Sequence, residues 1–351
     1  MWPKTYLTDL LGNRHPIIQA PMAGSTTVEL VAAVSNAGGI GSMGYSETPS
    51  ETIREDAAKI RKLTDKPFNL NFFAHNAPDN EPDVIASTRE RLQPFYLEVG
   101  LSEIPQDVSK PLFTFTEERL ELLLEIKPPV VSFHFGLPDS TAIESLKKAG
   151  CRLLCSATTT DEAVVLEQSG VDIIVAQGWE AGGHRGSFDL NHEDHGVGTL
   201  ALVPQIVDAV NVPIVAAGGI ADGRGIAAAF MLGACGVQMG TAFLSCPEAN
   251  VSDVHLEAIR NSRDDDTRLT KAFSGRPARA RKNDYIESIA AHRLPLPDFP
   301  TMYTLSDPLR EASDDTLDYR FLLYGQAAAL NREMPAAELV KTLVTEAQNL
   351  L

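Results

Sequence analysis

Eight short apolar runs punctuate the chain, at residues 17–20, 40–43, 68–72, 130–133, 152–156, 172–177, 213–217 and 236–240. Most are continuous stretches of Val, Ile and Leu instead of an apolar–polar alternation, the pattern of parallel strands covered on both faces. Amphipathic segments fill the gaps. The stretch 28–36 runs into Gly38-Gly39, 141–149 into Gly150, 161–169 into Gly170, and 224–232 into Gly233. A glycine just past a periodic segment is the usual helix stop, because it accepts the left-handed conformation that ends the hydrogen-bond ladder. Strand followed by helix, eight times over, predicts a (β/α)8 TIM barrel, a fold of about 250 residues.

The eighth run ends at residue 240, and the chain continues to residue 351. Residues 1–245 are therefore read as the barrel. Residues 246–309 are read as a smaller, mainly helical substrate or cap domain beside its mouth, and 310–351 as C-terminal helices packing back on the barrel. The cap segment is rich in charge and proline, with Asp264-Asp265-Asp266 and the run from Pro295 to Pro300. The long interval 73–129 is expected to hold extra helices. No repeat of fixed period is visible beyond the strand–helix alternation, and no segment is of low complexity.

Composition then narrows the function. A content of 44% hydrophobic and 22% charged residues is ordinary for a soluble globular protein. The net charge of −17 argues against a nucleic-acid partner, and the only local basic cluster runs from Arg276 to Lys282. The four cysteines, at 151, 155, 235 and 246, form no CxxC pair. That predicts reduced, buried thiols in a reducing compartment, hence a cytoplasmic location. The first residues lack the order of a signal peptide. The charge-free run 225–244 is long enough to cross a bilayer, but Gly233, Gly236, Gln238, Gly240 and Thr241 crowd its second half. A soluble helix followed by a buried strand accounts for it, so no membrane partner is expected. The oligomeric state stays open, a homodimer being one alternative.

Candidate chemistry concentrates in the loop Ala176-Gln177-Gly178-Trp179-Glu180-Ala181-Gly182-Gly183-His184-Arg185-Gly186, which follows the sixth run. Adjacent glycines let a backbone approach a bulky ligand, and a His just beyond them titrates in the range suited to proton transfer. Barrel active sites lie at the C-terminal strand ends, with phosphate usually after the seventh and eighth. Both of those ends are glycine-rich. Gly218 and Gly219 follow the seventh run, and Gln238, Gly240 and Thr241 close the eighth. Their backbone amides, with helix N-termini nearby, form an anion cradle. The plainer account is that these glycines only allow tight turns, but their occurrence at both expected ends favours phosphate.

The other strand ends supply a polar ring of Gln19, Met22, Asn71, His134 and Gln177. Amides suit a flavin, whose ring edge offers donors and acceptors, whereas metals prefer carboxylates and imidazoles. No carboxylate cluster occurs at these ends, so no metal is expected. Asn71 and Gln177 could equally satisfy backbone groups inside the mouth, and His134 is balanced between a substrate contact and a core histidine. The hexapeptide from Gly39 to Gly44 matches G-x-G-x-x-G. It is rejected as a dinucleotide site because a helix precedes it and no helix follows at once. Asn191-His192-Glu193-Asp194-His195 resembles a ligand cluster by count, but its glycine-flanked context reads as a solvated loop.

Longer motifs go further. PIIQAPMAG at 16–24, VSNAGGIG at 34–41, NLNFF at 69–73, SFHFGLP at 132–138, the loop 176–186, the segments 216–225 and 236–244, FSGRPAR at 273–279 and YGQAAAL at 324–330 stand in this order. Together they resemble the nitronate monooxygenases, the flavin-dependent family formerly called 2-nitropropane dioxygenases. The resemblance implies a barrel binding FMN non-covalently, with a helical substrate domain beside it. It implies FMN contacts from Met22, Asn71, Gln177, Gly182, Gly219, Gln238, Gly240 and Thr241, and a catalytic base at His184. Ala20, Gly183 and Gly218, on the same strand ends and loop, are placed with the cofactor, and His134 with the substrate. Two departures stand out. Arg279-Ala280-Arg281-Lys282 replaces a more familiar Gly-Ile pair, and Leu323-Tyr324 precedes Gly325 where Trp-Ala is common. Both bear on the shape of the pocket.

The implied reaction is oxidative denitrification of an alkyl nitronate with O₂ to a carbonyl compound and nitrite, through a flavin semiquinone. His184 would extend the range to neutral nitroalkanes by taking their α-proton. Two alternatives remain. One is an NAD(P)H-dependent enoyl-acyl-carrier-protein or quinone reductase on the same barrel, and the other is a non-catalytic flavin-binding protein.

Overall fold

The computed structural model describes residues 5–79, 81–108, 114–188, 196–314 and 318–351. Eight parallel strands, numbered here in chain order, are Ile17–Gln19, Gly41–Gly44, Phe68–Phe73, Val130–His134, Arg152–Ala157, Ile173–Gln177, Ile214–Ala217 and Gly236–Met239. Each overlaps an apolar run of the sequence. Hydrogen bonding joins every strand to the next in chain order from the second to the eighth, and the eighth to the first. A parallel bridge between Ile18 and Ile40 then closes the ring. The fold is the (β/α)8 barrel that the strand–helix repeat predicts.

Successive strand residues divide between two apolar layers. Ile18, Val130, Leu154, Ile173 and Val215 share a cluster with Leu7 and Leu11 of the helix Tyr6–Leu11. Their neighbours Ile17, Val131, Leu153, Ile174 and Ala216 belong to the larger cluster that includes the surrounding helices. Each such Val, Leu or Ile side chain contributes about 1.5–3 kcal/mol on burial, and both faces are covered, which is why the runs are continuous. Leu7 packs so closely on strand eight that a Cβ at Gly236 would lie 2.3 Å from its Cδ2. Four of the outer helices begin where a side chain accepts a first-turn N–H, that of Thr27, Asp139, Thr159 or Asp222.

A second apolar cluster draws on two separated segments. Leu92 and Tyr96, on the helix Pro82–Glu98, share an apolar cluster with Phe273, Tyr285, Met302 and Leu305. The helices of the C-terminal part are Asp253–Arg260, Asp284–Ala291, Thr301–Glu311 and Ala336–Gln348. Between them lies an antiparallel pair, Thr267–Thr270 with Ala278–Arg281. The pattern Ala278-Arg279-Ala280-Arg281 is a period-two alternation whose alanines are fully buried. Its charged members hide the strand from a reading based on apolar runs. The helix Ala336–Gln348 packs against Val28–Asn36 and Gly223–Met231 of the barrel wall. Among the described residues no helix is long and apolar enough to cross a membrane.

Candidate active site

A cavity of about 480 Å³ opens at the C-terminal ends of the strands. Ala20, Met22, Asn71, His134, Gln177, Gly182, Gly183, His184, Gly218, Gly219, Gln238, Gly240 and Thr241 all line it. Gln19 does not join them. It is fully buried inside the barrel, where its Oε1 accepts from the Ser42 N–H at 2.8 Å. The strand end there carries the chain onward, and the amide is used to tie strand one to strand two.

The His-bearing loop is held from three sides. Residues Gly183–His184 form a short strand that pairs antiparallel with Ala278–Arg281, so the His-bearing loop is tied to the C-terminal part of the chain. Gln177 spans the loop, donating to the His184 carbonyl at 3.0 Å and accepting from the Gly186 N–H at 2.7 Å. Buried Arg185 donates to the carbonyls of Gln177 and Gly178, both at 2.8 Å. Buried Arg279 reaches the Trp179 carbonyl at 2.8 and 3.0 Å. The Arg279 departure noted in the sequence therefore braces the loop instead of entering the cavity. A side chain at Gly182 has no room, since its Cβ would fall 2.5 Å from the backbone at Tyr324 and Gly325.

The glycine ends meet the requirements of an anion cradle. Gly218 and Gly219 have φ of 108° and 71°, a conformation that a residue with a Cβ resists. Their N–H groups make no hydrogen bond among the described residues. Thr241 opens a short helix after strand eight, and its Oγ1 accepts from the Gly325 N–H at 2.9 Å, leaving its hydroxyl hydrogen to give. Gln238 lines the cavity and makes no side-chain hydrogen bond among the described residues. Asn71 donates to the Ser132 Oγ at 2.8 Å. Gly41, from the rejected dinucleotide pattern, sits where a Cβ would be 2.2 Å from the Val31 carbonyl, so its role is close packing of helix on strand.

His184 stands among aromatic rings. Phe135, Phe299 and Phe321 have centroids 5.7, 6.0 and 6.0 Å from its own, and Phe73 is at 6.5 Å. Its Nε2 is 2.9 Å from Ser274 Oγ. Enclosure pushes its pKa down to about 3, with further lowering from His134, Arg276 and Arg310. His134 is likewise pushed down to about 4, chiefly by burial. Both rings are therefore neutral near pH 7. Both nitrogens of His134 are engaged, Nδ1 with Ser156 Oγ at 3.0 Å and Nε2 with the His184 carbonyl at 3.1 Å.

Two cations sit close by. Arg276 is buried with its guanidinium 4.0 Å from the Phe135 centroid, and burial lowers its pKa to about 10. Arg310 lines the cavity, pairs with Asp307, and lies 3.9 Å from the Tyr303 ring centroid. Ser274, Arg276, Phe299, Tyr303 and Arg310 escaped the sequence reading as site residues. Ser274 and Arg276 fall in the FSGRPAR motif, which was the available signal. The others sit on an ordinary amphipathic helix or a proline-rich run. Among the described residues no group of His, Cys, Asp and Glu could hold a metal. The 191–195 cluster lies outside the described residues.

Residues 4–346 match the family model described as nitronate monooxygenase. The "Nitronate monooxygenase" of Pseudomonas aeruginosa PAO1 is 45% identical over 344 residues, covering 97% of this chain and 98% of that protein. Among solved structures, a nitroalkane oxidase from Streptomyces ansochromogenes superposes with a TM-score of 0.90 at 36% identity, covering 98% of both chains. FabK from Thermotoga maritima superposes at 0.76 with 31% identity, covering 99% of this chain and 97% of that one.

Proposed function

Because the chain belongs to the nitronate monooxygenase family, we propose that it binds FMN at the barrel mouth. There it oxidises alkyl nitronates with O₂ to carbonyl compounds and nitrite, and His184 admits neutral nitroalkanes by taking their α-proton. The observation that carries this reading is a single cavity holding a neutral histidine, a nearby cation pair and the glycine cradle.

The residues fit the cofactor. Unbonded amides at Gly218 and Gly219, with the Thr241 hydroxyl, would take the phosphate, and Asn71, Gln177 and Gln238 would meet the ring and its chain. Flavin bound there supplies the electron transfer between nitronate and O₂. The protein's own part is binding, orientation and one proton. Arg276 and Arg310 make the cavity favourable for an anion, which is what a nitronate is. Phe73, Phe299 and Phe321 line the cavity and give it an apolar wall that would limit water beside the His184 ring. A neutral imidazole at His184 has a lone pair to accept a proton, and the nitronate anion formed beside it would favour the imidazolium, opposing the lowering that enclosure imposes.

The test is nitrite release from a nitronate under O₂, together with anaerobic mixing. Nitronate alone should alter the flavin absorbance, and NADH should leave it unchanged. Bleaching by NADH without nitronate turnover would replace this reading with a reductase, and no response to either would leave a binding protein.

A further inference from the structure

We infer that Ser274 fixes the tautomer of His184, so that the ring carries its hydrogen on Nε2 and receives the substrate's proton on Nδ1. This rests on the reading of His184 as the base, but on a separate observation. Ser274 is fully buried, and its Oγ has three polar neighbours. They are the Arg276 carbonyl at 3.1 Å, the Arg276 N–H at 3.3 Å and His184 Nε2 at 2.9 Å. A hydroxyl has one hydrogen to give and two lone pairs to receive with. If the hydrogen goes to the Arg276 carbonyl, Oγ accepts from the Arg276 N–H and from a His184 Nε2–H, and every group is partnered. If the hydrogen goes instead to a bare Nε2, the Arg276 carbonyl faces an oxygen lone pair at 3.1 Å. No other donor among the described residues reaches that carbonyl. A buried polar group left in that state is strongly disfavoured.

Nδ1 is in the opposite situation. It makes no hydrogen bond among the described residues, and it is not among the buried atoms left without a partner. His184 itself lines the cavity. The backbone beneath the ring is anchored as well, since His134 and Gln177 both donate to the His184 carbonyl. The ring is thus held with a free lone pair on the cavity side. In the reaction the substrate Cα–H bond breaks and its electron pair stays on the substrate as the nitronate. The proton forms an Nδ1–H bond, and Nε2–H continues to donate to Ser274. Ser274 is a positioning residue, acting through His184 without touching the substrate.

Histidine-ring ¹⁵N NMR of the flavin-loaded protein tests the assignment without relying on activity. His184, assigned by its absence in His184→Asn, should show the pattern of a neutral ring protonated at Nε2. Protonation at Nδ1, or an averaged mixture of tautomers, would overturn the inference even if nitronate turnover is confirmed. If turnover is absent but the Nε2–H pattern is found, the functional reading fails and the Ser274 assignment stands. Ser274→Ala should average the ring signals and lower turnover of neutral nitroalkanes relative to preformed nitronates by about tenfold or more, within the range a positioned base supplies. Ser274→Thr, which keeps the hydroxyl, should restore the pattern. Unchanged ring signals and an unchanged substrate ratio in Ser274→Ala would refute it, and should that variant not fold, the wild-type spectrum alone decides.

Discussion

His134 holds the backbone of His184, its Nε2 donating to the His184 carbonyl at 3.1 Å while its Nδ1 meets Ser156 Oγ at 3.0 Å. The relationship turns a residue expected to touch substrate into one whose polar atoms are committed within the protein. His134→Ala should therefore act chiefly through His184. Losing one such bond is worth about 1 kcal/mol, so kcat on neutral nitroalkanes should fall about five- to tenfold. The KM for nitronates should change by less than the kcat does. Steady-state kinetics on both substrate forms decides, and a dominant rise in nitronate KM would return His134 to direct substrate contact.

Replacing the base separates proton transfer from the redox step. His184→Asn should retain FMN and lose at least about a hundredfold in turnover of neutral nitroalkanes, the range a general base contributes. Preformed nitronates need no deprotonation and should suffer less. Equal losses on both forms would assign His184 to binding instead.

Acid should destabilise the protein through the same two rings. A histidine whose pKa is lowered on folding is protonated more readily in the unfolded chain, so its contribution is present above the unfolded value near 6.5. It is lost as pH falls through the folded values, about 4 for His134 and about 3 for His184. The melting temperature should drop between pH 6.5 and 4, and His134→Gln should show a shallower drop. Parallel curves for the two proteins would remove His134 from the acid response.

The phosphate site proposed at Gly218 and Gly219 predicts that flavin released by denaturation chromatographs as FMN, and FAD would contradict it. Gly219→Val should weaken cofactor retention. Its φ of 71° is a strained conformation for a β-branched residue, and its Cβ would press on Glu180 at 3.2 Å. Strain of this kind costs about 1–3 kcal/mol. Flavin content per chain after gel filtration is the measurement, and full retention would move the phosphate elsewhere.

The barrel was legible in the sequence because parallel strands buried on both faces must be continuously apolar, as Val130-Val131 and Ile173-Ile174 are. The glycine-rich strand ends were legible because a tight turn with positive φ demands glycine, as at Gly218-Gly219. What one residue alone can reveal is its chemistry and its local backbone. The rest needed the tertiary structure. Gln19 and Gln177 have the same side chain and each closes a barrel strand, yet one ties strands together inside the barrel and the other spans the His184 loop. Ser274 is 90 residues from His184 in the chain and 2.9 Å from its ring, a contact that accompanies the pairing of Ala278–Arg281 with Gly183–His184. Phe299 and Arg310 come to the cavity from a proline-rich run and from the helix Thr301–Glu311, whose local patterns are unremarkable. Such partnerships depend on long-range pairing, which local periodicity does not encode.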